Sequence, residues 1–466
     1  MIRHWFVASL VVAVMALFTQ VLAAYGSTLP DHVNNGTSKF FRPIYSQGGY
    51  NSCGSSASIG YMFTYEWNAW NLSDASQSEN QFAAMLQYDH VGMGREDEGE
   101  YVGFTNAKLY GGNYVSSIYG GYESNTDNAG WIQGYESFYD GMFHRLTSRH
   151  YAVIPNIGNG SKTLPGSTAM KQWLYNHCGD SAWPVITDEN GTHVVGGVLY
   201  TGCGISQSKQ GHIPATETNN RIGVTGKVFM QRWNTGGADH ALMIVGYDDR
   251  IQFDMDGNGI AGETSNHFGD NENGAWIIAN SWGPGWANGG FIYVPYCLGA
   301  GSGNREEKWV TEKGNTVVGY SSAEGNTGWV PAAYELRGGY APNRTMKVTM
   351  SYDHRSEISV SVGVSQDTTA TQPEYQCVFP YINYCGDGKN DNVDAAMPLL
   401  GRWADGKIHT EPMEYGVDLT DLTDKVDVTR PLRYFLIIHS KSKAKGEGKV
   451  LQASVMDYHL DKEAVE

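Results

Sequence analysis

Apolar and polar positions alternate in three textures along the chain. An apolar run over residues 5–18 follows Arg3 and leads into Gln20-Val21-Leu22-Ala23-Ala24. A short positive region, a brief hydrophobic stretch and small residues at a cleavage point predict a secretory signal over 1–24. The run is shorter than the ~20 residues a spanning helix needs, and no later segment is apolar enough to span a bilayer. The expectation is an exported protein, extracellular or (in a Gram-negative host) periplasmic, with no transmembrane anchor. Residues 25–39 form a short N-terminal segment. From 40 to 300 the chain is rich in Gly, Asn, Tyr and Trp, with few periodic stretches. Residues 55–67 can be helical, although Gly54 and Gly60 weaken the pattern. Residues 241–247 and 276–279 are near-continuous apolar runs and predict buried strands. A small-residue stretch at 299–304 predicts a linker over 301–310. Beyond it, over 311–466, short strands take over. Ile358, Val360, Val362 and Val364 alternate with Ser and Gly, the period of a half-buried strand. Residues 434–439 and 450–455, joined by a Lys/Gly turn, predict a hairpin. Several such strands suggest an all-β sandwich.

Composition narrows the class. A length of 466 residues suggests two or three domains, and 41% hydrophobic content suffices for globular cores. A formal charge of −17 argues against nucleic acid or anionic membrane surfaces as partners, because both attract basic patches. Six cysteines in an oxidising compartment invite pairing. Cys178 with Cys203 and Cys377 with Cys385 are the pairs closest in sequence. If Cys53 is a reactive thiol, Cys297 is left buried and free. Sequons at Asn35, Asn71, Asn159, Asn190 and Asn343 mark exposed loops if the host glycosylates.

The chemistry concentrates in three separated segments: Gln47-Gly48-Gly49-Tyr50-Asn51-Ser52-Cys53-Gly54, then Asp239-His240-Ala241 leading into a strand that ends Val245-Gly246-Tyr247-Asp248, then Trp276-Ile277-Ile278-Ala279-Asn280-Ser281-Trp282-Gly283. A thiol is a strong nucleophile only as the thiolate, so it needs an imidazolium or a helix N-terminus beside it. Cys53 follows Ser52, an expected N-cap. His240 would sit at a strand end, and Asn280 closes a second strand, where its amide could fix the imidazole tautomer without adding charge. Cys, His and Asn meeting in space form the triad of a thiol acyl-transfer enzyme. Gln47 could offer a side-chain N–H to a developing oxyanion. His193, which also leads a strand, is the chief rival base.

Taken together and in this order, the segments resemble the papain family of cysteine peptidases, and Ser78-Glu79-Asn80-Gln81-Phe82 resembles the Ser-Glu-Gln segment that follows the catalytic helix there. The resemblance covers residues 40–300. It implies Cys53 as nucleophile, His240 as base and then acid, Asn280 as the residue orienting His240, Trp282 as a shield over that hydrogen bond, and Gln47 with the Cys53 N–H as oxyanion hole. It also implies an α+β papain-like fold of two subdomains, helical on the left and β-barrel-like on the right, ahead of the all-β sandwich. A rival alignment puts Cys53 on the family's structural cysteine and leaves Ser56 at the nucleophile; the spacing from Gln47 to Cys53 favours Cys53. Tyr50 then replaces the structural cysteine and Gly54 the usual Trp or Thr. The 25–39 segment is too short for the family's long inhibitory propeptide.

One further pattern stands apart. Asp254, Asp256, Asn258, Ile260 and Glu263 resemble the start of an EF-hand calcium loop, with Ser265 where the full loop wants Glu. The alternative is an Asx-rich turn. Calcium there would brace the loop, while catalysis needs no cofactor. Asp387 to Asp394 form a weaker acidic loop. The functional expectation is a secreted peptidase acting on peptides or proteins through a thioester, with the C-terminal module facing a carbohydrate, a protein or a cell surface. The alternatives are a peptide ligase using the same triad and a catalytically dead binding protein.

Overall fold

The computed structural model describes residues 29–49, 51–86, 111–114, 116, 134–146, 152–153, 165–206, 208–232, 239–298, 305–321, 331–334, 336, 338–379, 398–400, 407–440 and 444–458. The expected signal, Tyr50, the 299–304 stretch, Asn159, Cys385 and the Asp387–Asp394 loop lie outside these residues. Among the described residues no helix is long and apolar enough to cross a membrane.

The protein is α+β, with several sheets. In chain order the strands are β1 (His32–Asn34), β2 (Ala152–Val153), β3 (Val185–Asp188), β4 (Gly191–Val194), β5 (Leu199–Cys203), β6 (Lys209–His212), β7 (Val228–Arg232), β8 (His240–Gln252), β9 (Asn273–Ala279), β10 (Phe291–Pro295), β11 (Arg305–Val310), β12 (Thr316–Ser321), β13 (Ala332–Ala333), β14 (Arg344–Tyr352), β15 (Ile358–Ser365), β16 (Tyr375–Val378), β17 (Met413–Asp418), β18 (Arg433–Ser440) and β19 (Gly448–Asp457). The principal sheet runs β2-β13-β5-β8-β9-β10-β7-β6, with β1 also on β8. Its centre is β8, where residues 240–248 are buried without interruption. A strand covered on both faces loses the alternation of a half-buried one, which is why this segment is a continuous apolar run.

One helical rod packs on that sheet. It begins as α1 (Cys53–Ser55), continues as a π-helical stretch (Ser56–Phe63) and ends as α2 (Thr64–Asn71). Gly60, unfavourable by propensity, is there for contact: a Cβ at this position would lie 2.3 Å from the Tyr45 hydroxyl. A π stretch is uncommon in helices and concentrates at functional sites. Helices α3 (Tyr135–Met142) and α4 (Pro165–Asn176) complete the elements used below.

Residues 305–310, expected as part of a linker, are strand β11 instead, and here the chain has not yet left the first unit. Hairpin β11–β12 packs on the 254–272 loop, where Trp309 Nε1 donates to Asp256 O (2.7 Å) and its ring stacks on His267 at 3.7 Å. β13 then joins the principal sheet between β2 and β5. The second core starts only with β14. It lies between the sheets β17-β14-β19 and β16-β15-β18, filled by Met346, Val348, Val360, Val362 and Tyr415. Helix α3 belongs to it from the other side, through Phe138 and Met142. Arg145, just beyond α3, is buried and bound to Asp418 (2.7 Å) and Asp421 (2.9 Å), so the two cores are fastened by charge as well as by packing.

Three expectations are corrected. The segments 434–439 and 450–455 do not form a hairpin: β18 pairs with β15 and β19 with β14, in different sheets. Both carry an apolar face, and one strand in each sheet lets both faces contribute to the second core. The Cys178–Cys203 bridge is also absent. Cys203 points into the principal sheet's buried side, whereas Cys178 is exposed beyond α4, and Cys178, Cys203, Cys297 and Cys377 are free thiols. The sequon at Asn35 likewise does not mark an open loop, because its Nδ2 donates to Leu174 O (2.8 Å) and Gly197 O (2.7 Å).

Because the Tyr45 contact leaves no room for a methyl group, Gly60→Ala is expected to lower stability by about 1–3 kcal/mol, in the range of overpacked cores. A shift of the denaturant midpoint at constant m checks this.

Candidate active site

Sheet register brings the histidine and the asparagine together. β8 and β9 run antiparallel with Met243 opposite Ala279, so Asn280, one residue past β9, arrives beside the start of β8. His240 and Asn280 are both buried and lie 2.8 Å apart, Nε2 to Oδ1. The proton's place follows from a third group. Backbone N–H of Ser281 donates to the same Asn280 atom at 2.8 Å, so that atom is the amide oxygen. An oxygen only accepts, so His240 Nε2 carries the hydrogen, and Nδ1 is the nitrogen that can take a proton. Trp282, 40% exposed, covers the ring with centroids 4.7 Å apart. Burial pulls the imidazole below its ordinary 6.5, while the Asn280 bond and the Asp239 charge push it up.

Cys53 is the first residue of α1, and α1 packs against β8, the strand that His240 begins. A helix N-terminus presents N–H groups and partial positive charge, which favours a thiolate over a thiol. Ser52 does occupy the N-cap position, but its side chain makes no cap bond and its buried hydroxyl has no partner among the described residues. Gln47 reaches the same corner. Its N–H donates to Ser281 O (2.7 Å), and its Oε1 accepts from the Ser281 hydroxyl (2.5 Å). With the amide oxygen so held, the NH₂ end is the one turned to other partners.

Two residues that sequence reasoning passed over bind these segments. Ser281 serves both Asn280 and Gln47, as described. Tyr61, buried in the π stretch, donates to Asn280 O (3.2 Å) and accepts from Tyr45 N (3.3 Å), so one hydroxyl joins the Cys53 helix, the segment leading to Gln47 and the Asn280 turn. The adjacency of Ser281 to Asn280 was visible in sequence; nothing there signalled Tyr61. His193, the rival base, is elsewhere. Its Nδ1 is 2.7 Å from Val194 O and its Nε2 is 3.0 Å from Asp188, in the separate β3–β4 hairpin.

The acidic loop between β8 and β9 gathers a different donor set from the one expected. Asp254, Asp256 and Glu272 bring carboxylate oxygens within 4.8 Å of one another. Asn258 and Glu263 bond to each other instead (2.6 Å), and Ile260 is exposed. The backbone N–H of Glu272 donates to Glu263 O (2.9 Å), so the two residues lie on facing arms, and it is Glu272 whose carboxylate reaches the Asp254–Asp256 segment, accepting from Met255 N (2.7 Å). Burial raises the Asp254 carboxyl and pushes Glu272 up to about 7.

No family model matches the chain, and no curated protein matches it by sequence. Among solved structures it is similar to bromelain from Ananas comosus in complex with the E64 inhibitor, at 13% identity over 66% of this chain and 100% of that chain, with a TM-score of 0.35. It is similar to digestive procathepsin L 3 of Tenebrio molitor larval midgut at 14% identity over 58% of this chain, with a TM-score of 0.34. Xylellain, a cysteine protease from Xylella fastidiosa, matches at 13% identity over 66% of this chain and 87% of that chain, with a TM-score of 0.33. Its structural neighbours are papain-like cysteine proteases. The chain spans 65% of the procathepsin, just under two thirds of that protein's length. At these identities and TM-scores the likeness says nothing of activity.

The His240 environment is directly testable by NMR. In a Cys53→Ala background, His240 is expected to titrate below 6.5, and adding Asn280→Ala is expected to move it lower still, because the Asn280 bond holds it up. A midpoint that rises on losing Asn280 would contradict the assigned bond.

Proposed function

We propose that the protein is a secreted cysteine peptidase with a papain-like domain of two subdomains and a C-terminal β-sandwich, hydrolysing peptide bonds through Cys53, His240 and Asn280. The observation that carries this reading is the His240–Asn280 bond, which leaves Nδ1 as proton acceptor at the sheet end against which the Cys53 helix packs.

In this mechanism Nδ1 of His240 takes the Cys53 proton and the thiolate attacks the scissile carbonyl. Negative charge gathers on the carbonyl oxygen and meets the Gln47 Nε2–H and the Cys53 backbone N–H. Preorganised donors of this kind are worth about 10²–10³ in rate each. His240 returns its proton to the leaving amine, forming a thioester, and then activates water to release the acid. Asn280 holds the ring in the tautomer this sequence needs, and Trp282 keeps water from that bond.

The Asp254–Asp256–Glu272 set fits a hard divalent cation such as calcium. Its donors are oxygens, Asp256 and Glu272 are buried and Asp254 partly so, and burial pushes the Glu272 carboxyl up to about 7. These residues would hold the ion, and the ion would brace the loop between the His240 and Asn280 strands. No step of the reaction runs through it.

Two experiments test this reading. A peptide library incubated with the mature protein under reducing conditions is expected to be cleaved, and Cys53→Ala is expected to abolish cleavage. Joined rather than hydrolysed peptides would favour a ligase; equal cleavage by both proteins would remove Cys53 as nucleophile. For the loop, calcium is expected to raise the melting temperature, by the equivalent of about 2.7 kcal/mol at a hundredfold excess over Kd. Glu272→Gln is expected to lose that response while remaining folded. A melting temperature indifferent to calcium would rule out the cation.

A further inference from the structure

Glu66 and His177 have no part in the site described above, yet both are 1% exposed and face each other. Glu66 stands on α2, the last part of the rod that begins at Cys53. His177 opens the turn after α4, with its backbone in the left-handed region at φ +46°. Its Nδ1 is 2.5 Å from Val195 O, and its Nε2 is 2.7 Å from Glu66 Oε2. A carbonyl oxygen only accepts, so Nδ1 carries a hydrogen. Nε2 faces a carboxylate oxygen, so a second proton lies between those two atoms. Without it, two lone pairs would oppose each other in a buried site.

Two contacts place that proton on the ring. The other Glu66 oxygen accepts from Val198 N at 2.9 Å, which favours the carboxylate. Trp183 lies flat on the imidazole, with centroids 3.6 Å apart and planes 8° apart, which favours the cation. The surroundings add no competing base. The Tyr65 hydroxyl donates to Gly196 O at 2.8 Å and is held neutral by burial and by the Glu66 charge. Cys178, next in the chain, is a thiol raised by burial. Asp188 and His193 bond to each other on the β3–β4 hairpin. Among the described residues no lysine or arginine pairs with Glu66.

We propose that Glu66 and His177 are positioning residues: a carboxylate–imidazolium pair whose proton fastens the Cys53 helix to Val198, the residue before β5. The far end of β5 is Cys203, directly opposite His240, so the tie spans the two elements that bring nucleophile and base together. The pair's charge state stands by itself, whereas its effect on Cys53 rests on the peptidase reading.

The test uses the full chain. Ring ¹⁵N spectra at neutral pH are expected to find both His177 nitrogens protonated, because each faces an oxygen that only accepts. In Glu66→Gln the amide can accept from Val198 N and donate to Nε2, so the ring is expected to become neutral with the fold kept. Alkylation of Cys53 by iodoacetamide at pH 7 is expected to slow at least threefold in Glu66→Ala and to recover in Glu66→Gln. An unprotonated His177 nitrogen in the wild type, or two protonated nitrogens in Glu66→Gln, overturns the pair. Unchanged alkylation in Glu66→Ala overturns the positioning role. If Cys53 instead alkylates as an ordinary thiol in every protein, wild type included, the peptidase reading falls and takes the positioning role with it. The spectra then still report on the pair. Should Glu66→Ala fail to fold, the spectra and the Glu66→Gln comparison decide.

Discussion

The hydrogen bond from His240 Nε2 to Asn280 Oδ1 is the constraint around which the site is arranged. It is short at 2.8 Å, buried, and unambiguous in direction because Ser281 N–H binds the same oxygen. It exists because β8 and β9 pair in one register. A slip of one residue would turn His240 or Asn280 to the opposite face of the sheet. The apolar residues of both strands, sealed on both faces, therefore set the chemistry indirectly, by making that register the one that keeps Leu242, Ile244, Ile278 and Trp276 out of water.

Around that bond, polar groups of the backbone and of a few side chains assemble the remaining pieces. Ser281 couples Gln47 to Asn280, and the Tyr61 hydroxyl couples the Cys53 helix to both. Three segments distant in sequence are thus joined by hydrogen bonds that exclude water, where such bonds are at their strongest. The Glu66–His177 contact extends the same logic to the other end of the helix. The second core is not an appendage on a flexible tether. Helix α3, inserted in sequence within the first unit, packs into the second core, and Arg145 beside it is bound by Asp418 and Asp421.

The meeting of His240 with Asn280 and the place of Cys53 at a helix start were legible in the sequence. Cys53, His240 and Asn280 each lie at the end of an element whose pattern is plain: a helix start, a buried strand start, a buried strand end. Apolar runs report such ends well because burial is what produces them. Tyr61, Glu66 and His177 were not legible, since each looks like an ordinary residue until the partner element is placed against it. The acidic loop shows a related limit. Spacing identified Asp254 and Asp256, but the third carboxylate came from Glu272 on the returning arm, which no local motif reaches. Strand pairing failed similarly at β18 and β19, where adjacency in sequence suggested a hairpin and the demand for two apolar faces placed them in separate sheets.

The measurement that tests the central claim most directly is the capture of an acyl group on Cys53. Mixing the protein with a peptide ester, quenching in acid within milliseconds to seconds and measuring the intact mass reads the intermediate itself. A single acyl adduct that maps to Cys53, turns over with time and is absent in His240→Ala is the predicted result. An adduct on another residue, or one formed equally well without His240, would contradict the account.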